Sequence, residues 1–126
     1  MSQTRILIVD DDPDFVDAVK SVVEGGGYVV DVAYDGQEGL EQVARARPAL
    51  IILDVMMPVM NGHEACRRLK DDPATADIPV ILLTAVAERV TTSTYTHRDM
   101  LESDAEDYIP KPVKPEVLLQ RIQDLL

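Results

Sequence analysis

Arg5-Ile6-Leu7-Ile8-Val9-Asp10-Asp11-Asp12-Pro13 is an apolar run cut off by three carboxylates and a proline. Four consecutive apolar residues without alternation fit a short strand buried on both faces. Pro13 suits the first turn of a helix, and Asp12 just before it can cap that helix's free N–H groups. The stretch therefore reads as strand, acidic edge, helix, and it leaves Asp10 and Asp11 at the carboxyl end of the strand.

The same order repeats along the chain. Phe15, Val16, Val19, Val22 and Val23 recur at helical spacing and stop at Gly25-Gly26-Gly27. Tyr28–Tyr34 alternates and is rich in β-branched residues, so it predicts a strand with one wetter face. Asp35-Gly36 turns the chain into a second helix, with Leu40, Val43 and Ala44 inward and Pro48 closing it. Ala49-Leu50-Ile51-Ile52-Leu53 is apolar on both faces and, like the first strand, ends in acid, at Asp54. A loop with Pro58 and Asn61-Gly62 leads to a third helix carrying Ala65, Cys66 and Leu69. Ile78–Leu83 predicts a fourth strand ending at Thr84-Ala85, Tyr108-Ile109 a short fifth, and Pro115–Leu126 a final helix with Leu118, Leu119, Ile122 and Leu125 as its apolar face. Between them, residues 86–103 include Thr91-Thr92-Ser93-Thr94-Tyr95-Thr96, of low helix propensity, and predict a loop running into a short or irregular helix. Five strands alternating with helices give an α/β, doubly wound parallel sheet.

Composition narrows the function. The chain has 126 residues, enough for one domain with one core, and 46% are hydrophobic. Aromatic residues are few, with one Phe, four Tyr and no Trp, so the core is expected to be aliphatic. The formal net charge of −11 disfavours phosphate backbones and anionic membranes as direct partners. The single cysteine, Cys66, fits a packed helix position in a reducing compartment better than a catalytic thiol, because nothing marks a base beside it. Without a signal peptide or an apolar run of spanning length, the expected location is the cytoplasm.

In doubly wound sheets, ligands bind outside the carboxyl ends of the strands. Here those ends carry Asp10, Asp11, Asp54, Thr84 and, just past the fifth strand, Lys111. Placing the first and third strands side by side gathers the three aspartates. Two carboxylates ~4 Å apart repel by about 4 kcal/mol at an effective dielectric near 20. Such a cluster needs raised pKa values or cations, and Lys111 supplies only one positive charge. With oxygen donors alone, the missing cation is expected to be hard, and Mg2+ fits best. An EF-hand does not account for Asp10-x-Asp12-x-Asp14, because Phe15 stands where the loop requires Gly and Ser21 where it requires the bidentate Glu.

Taken in order, these segments resemble the receiver domains of two-component response regulators. The carriers are Ile6-Leu7-Ile8-Val9-Asp10-Asp11-Asp12-Pro13, Leu53-Asp54-Val55-Met56-Met57-Pro58 with Asn61-Gly62, Leu83-Thr84-Ala85, and Asp107-Tyr108-Ile109-Pro110-Lys111-Pro112. The likeness spans the chain as a single receiver domain, 1–126, and implies the flavodoxin-like strand order 2-1-3-4-5 with helices on both faces.

The resemblance also implies roles. Asp54 is the expected phosphoacceptor, taking a phosphoryl group from a phosphohistidine on a histidine kinase or phosphotransfer protein. Asp11 and Asp54 are expected to bind Mg2+ directly, Asp10 through water, and Met56 through its backbone carbonyl. Lys111 and Thr84 contact the phosphoryl oxygens, and Ala85 leaves room beside them. Thr84 and Tyr108 form the expected switch, driven by the added charge of about −1.5 to −2. The Lys111–Pro112 bond is expected to be cis. Dimer or effector contacts are expected on the face of the fourth helix, fifth strand and final helix. Two departures fall on that face: Thr84 and Tyr108 are 24 positions apart, and Asp104 replaces the usual helix-ending glycine. His63 and His97 are expected at the surface, Asn61-Gly62 as turn and helix start.

Two rivals remain at this stage. An aspartate-nucleophile phosphohydrolase shares the Asp-x-Asp spacing at Asp10 and Asp12, but 126 residues leave no room for its cap. A receiver-like interaction module usually lacks a metal carboxylate, the phosphoacceptor or the lysine, and all are present. Chemistry limited to its own phosphorylation and dephosphorylation would not make the chain an enzyme. Sequence leaves open whether it is free-standing or part of a larger regulator or hybrid kinase.

Overall fold

A computed structural model describes residues 4–57, 60–85 and 105–126, Ala85 by its backbone only. Five parallel strands, β1 (Arg5–Val9), β2 (Val29–Ala33), β3 (Leu50–Asp54), β4 (Val80–Ala85) and β5 (Asp107–Lys111), form one sheet in the order β2-β1-β3-β4-β5. Helices α1 (Pro13–Gly25), α2 (Gly36–Arg45), α3 (Gly62–Asp71) and α4 (Pro115–Leu125) cover it. The expectation for residues 86–103 lies outside the described residues.

Strand alternation divides the core in two. Leu7, Val9, Ile51, Leu53, Val80 and Leu82 point to one face, where α2 and α3 add Val43, Ala65, Cys66 and Leu69. Ile6, Ile8, Leu50, Ile52, Ile81 and Leu83 point to the other, under Val16, Val19 and Val23 of α1 and Leu118 and Ile122 of α4. The central strands are apolar on both sides because both sides are covered.

Local chemistry sets the helix starts. The Asp12 carboxylate accepts hydrogen bonds from the N–H groups of Asp14 and Phe15, with Pro13 in the first turn. Asp35 accepts from the Glu38 N–H, and Asn61 from the Glu64 N–H. Gly27, with φ 96°, ends the turn after α1.

Four expectations need correction. Ala44 is exposed, because the inward face of α2 runs through Gly36, Gly39 and Val43, and Ala44 lies one step round the helix from Val43. His63 is buried, only 4% exposed, in a helix whose first residue packs directly behind the end of β3. The fourth strand starts at Val80, since the Ile78 N–H closes a turn onto the Thr75 carbonyl. The fifth strand, in turn, is longer than the two residues expected, because ladder pairing with β4 continues to Ala85–Lys111.

Candidate functional site

Register builds the site. Val9 pairs with Leu53, so the next residues, Asp10 and Asp54, are level at the carboxyl ends of β1 and β3. The chain runs outward from β1 to β2 and returns on the opposite side as β3, which makes this the crevice where the winding reverses. Asp54 pairs with Leu83, which sets Thr84 one step beyond it, and Ala85 pairs with Lys111.

Asp10, Asp11 and Asp54 each offer an oxygen, all within 4.8 Å of one another. Asp10 and Asp54 are buried, at 1% and 4% exposure, whereas Asp11 is open to solvent. The Asp10 carboxylate also accepts the Asp12 N–H at 3.0 Å, which fixes its orientation. Lys111 Nζ lies 3.0 Å from Asp54 Oδ1 and 3.3 Å from Asp10 Oδ2. On another side the same ammonium stands 4.2 Å from the centroid of the Phe15 ring.

The electrostatics follow from burial. Burial pushes the Asp54 carboxyl up to about 6, against the pull of Lys111 and with a further push from Asp10 and Asp11. Burial likewise raises Asp10, although the Asp12 N–H and Lys111 oppose it. Burial draws Lys111 down, but Asp54 and Asp10 outweigh it and hold the ammonium above its ordinary value. The pocket thus has more negative charge than one lysine offsets. Three clustered carboxylate donors with no nitrogen or sulfur among them suit a hard divalent cation.

The sequence-predicted residues therefore come together at one edge, with Thr84 buried at 1% exposure. Met56 follows the end of β3 and is 61% exposed. Tyr108 pairs with Leu82 and packs, half-buried, against the core beneath α2 and α3. The Lys111–Pro112 peptide is cis, as the resemblance implies. Phe15 is the participant that sequence reasoning missed, taken there as another apolar helix residue. Its only signal was its place in the first turn after the acidic edge. His97 lies outside the described residues.

A doubly wound parallel sheet with an acidic crevice and a lysine reaching into it defines a class of α/β domains suited to bind a hard cation and an anionic group at that edge. Residues 6–123 match the family model described as response regulator receiver domain. The chain is 44% identical over 125 residues to the response regulator MprA of Mycobacterium leprae, covering 97% of this chain and 50% of that protein. It is 41% identical over 122 residues to the DNA-binding dual master transcriptional regulator RpaA of Synechocystis, covering 97% and 48%. Among solved structures, the signal receiver domain of a signal transduction histidine kinase from Syntrophus aciditrophicus superposes with a TM-score of 0.90 at 38% identity, covering 98% of this chain and 89% of that one. The chemotaxis protein CheY4 of Vibrio cholerae gives a TM-score of 0.87 at 30% identity, covering 99% and 100%. The chain belongs to the response-regulator receiver family, whose members act in two-component signal transduction by accepting a phosphoryl group on aspartate. It spans about half the length of the curated relatives it matches. No helix among the described residues is long and apolar enough to cross a membrane.

Proposed function

We propose that Asp54 is the phosphoacceptor of this receiver, charged by a phosphohistidine on a histidine kinase or phosphotransfer protein. The observation that carries the reading is the Lys111 ammonium held between Asp54 and Asp10, at the edge where three carboxylates converge. An Asp54 oxygen attacks phosphorus, an O–P bond forms, the N–P bond breaks, and its electron pair leaves on the donor imidazole. Asp54 must be ionised to attack, so a carboxyl near 6 is competent at neutral pH. Lys111, already positioned, offsets charge on the phosphoryl oxygens, and the buried Thr84 hydroxyl stands one step along the next strand to donate to one of them.

Asp11 and Asp54 would hold Mg2+ directly, Asp10 through water and Met56 through its carbonyl. When bound, the ion adds positive charge opposite the developing phosphoryl charge. Thr84 and Tyr108 form the switch pair, and the added phosphoryl charge is what biases it. The domain promotes only its own phosphorylation and dephosphorylation, and so is not an enzyme with a turned-over substrate. We assign residues 1–126 to one receiver domain acting in the cytoplasm. Dimer or effector contacts are assigned to the face that carries β5 and α4. With a net charge of −11 the domain itself is not assigned nucleic acid as a partner.

The test is incubation with Mg2+ and acetyl phosphate followed by intact mass. One added phosphoryl group is expected, absent in Asp54→Asn and absent with a chelator. A label that survives Asp54→Asn would move the nucleophile elsewhere.

A further inference from the structure

Lys111 must be both held and free to turn. Its four-carbon stem is flexible, and 28% of its side chain is exposed. Two carboxylates hold the ammonium on the sheet side. Among the described residues, the face of Phe15 also lies against it, 4.2 Å away, well inside the range of a cation–π contact. Phe15 is anchored in its turn: it sits in the first turn of α1, its N–H bonded to the Asp12 cap, and it packs half-buried on the core beneath α1 and α4. A polar acceptor in its place would occupy one of the ammonium's three N–H donors in a directional bond. A ring face attracts the charge without claiming a donor, and it keeps water from that side.

We propose that Phe15 is a positioning residue for Lys111: its ring face confines the ammonium beside Asp54 without engaging the N–H left over from the contacts with Asp54 and Asp10, which stays available to an incoming phosphoryl group. The inference rests on the proposed phosphoacceptor role of Asp54, and its test is built to separate the two.

Phe15 is the only phenylalanine in the chain, so growth on fluorinated phenylalanines alters this one ring and nothing else. Ring fluorines drain the negative face with little change in size. With Mg2+ and acetyl phosphate, the phosphorylation rate should fall stepwise through the mono-, di- and trifluoro proteins. The last should be slower by about three- to tenfold, with circular dichroism unchanged. Phe15→Leu should be slowed similarly and Phe15→Tyr should recover. Independently, in protein without metal, proton NMR should find the Lys111 ε-methylene shifted upfield by the ring, and the shift should vanish in Phe15→Leu. A flat rate across the fluorinated series, or an unshifted Lys111 ε-methylene, overturns the proposal. If no form takes a label, the phosphoacceptor reading fails instead, and the NMR measurement still decides whether Phe15 holds Lys111.

Discussion

Gly62 stands directly behind Asp54: a Cβ at position 62 would overlap the Asp54 carbonyl oxygen and lie 2.9 Å from Val55 Cα. The first residue of α3 thus backs onto the end of the strand that carries the proposed phosphoacceptor, and the Gly62 N–H bonds the Val55 carbonyl at 2.9 Å. Since the obstacle is backbone rather than a flexible side chain, Gly62→Ala must move either the helix or the strand end. We expect a loss of about 1–3 kcal/mol in denaturant unfolding. The phosphorylation rate should also fall, because a shift of Asp54 alters its distance to Lys111. Unfolding midpoints and acetyl phosphate labelling of the same preparation check both; unchanged values would mean the two elements are not in contact.

Lys111→Met keeps the length of the side chain and removes its charge. Asp10 and Asp54 then share a buried edge without a cation, which should push Asp54 further up and destabilise the metal-free protein at pH 8. Labelling by acetyl phosphate should fall at least tenfold, a change of about 1.4 kcal/mol in barrier. Millimolar Mg2+ should restore more stability to this variant than to the parent. Equal Mg2+ stabilisation of the two proteins would argue that the lysine and the ion do not compensate the same charges.

Much of this site is legible in the sequence. Asp10, Asp54, Thr84 and Lys111 follow short apolar runs, and in a parallel sheet every such run delivers its last residue to the same edge. The helix starts at Asp12, Asp35 and Asn61 were legible because caps are local chemistry. What pattern could not deliver depends on packing between distant parts. His63 looked polar and exposed, yet the tight approach of Gly62 to Asp54 draws the start of α3 under cover. Ala44 looked inward, yet glycines at 36 and 39 let α2 approach closely and set a different face: a Cβ on Gly39 would meet Val9 at 3.0 Å. The Phe15–Lys111 contact joins the first helix to the last strand, and no periodicity reports on that.

The raised Asp54 carboxyl makes a pH prediction for the protein without metal. Between the ordinary carboxylate value of 3.8 and about 6, the folded state keeps a proton at Asp54 that the unfolded chain has released. Stability therefore falls as pH rises through this window and levels off above it, with Asp10 acting in the same direction. The Asp54 contribution is on the order of 3 kcal/mol. Thermal melts in chelator from pH 4 to 8 should show the decline, and Asp54→Asn should remove most of it. Were the parent and Asp54→Asn profiles parallel, Asp54 would not be the group responsible.

A second lysine, away from the site, carries the last prediction. Lys70, at the end of α3 and only 9% exposed, donates to the carbonyls of Ala76 and Ile78 at 3.1 and 2.7 Å and pairs with Glu106 at 2.9 Å. The other oxygen of Glu106 accepts the Val80 N–H at 2.7 Å. One ammonium and one carboxylate thus tie the turn after α3, the first residue of β4 and the approach to β5. Lys70→Met takes the donor from two carbonyls and the cation from Glu106, which keeps only the Val80 N–H, so we expect a loss of about 2–4 kcal/mol. The break is at the amino ends of the strands, whereas Asp54, Thr84 and Lys111 lie at the carboxyl ends. Labelling of the folded variant at Asp54 should therefore proceed within twofold of the parent. Hydrogen exchange should show the start of β4 opening sooner while the end of β3 keeps its protection; the reverse pattern would mean the two ends of the sheet are coupled through this clamp.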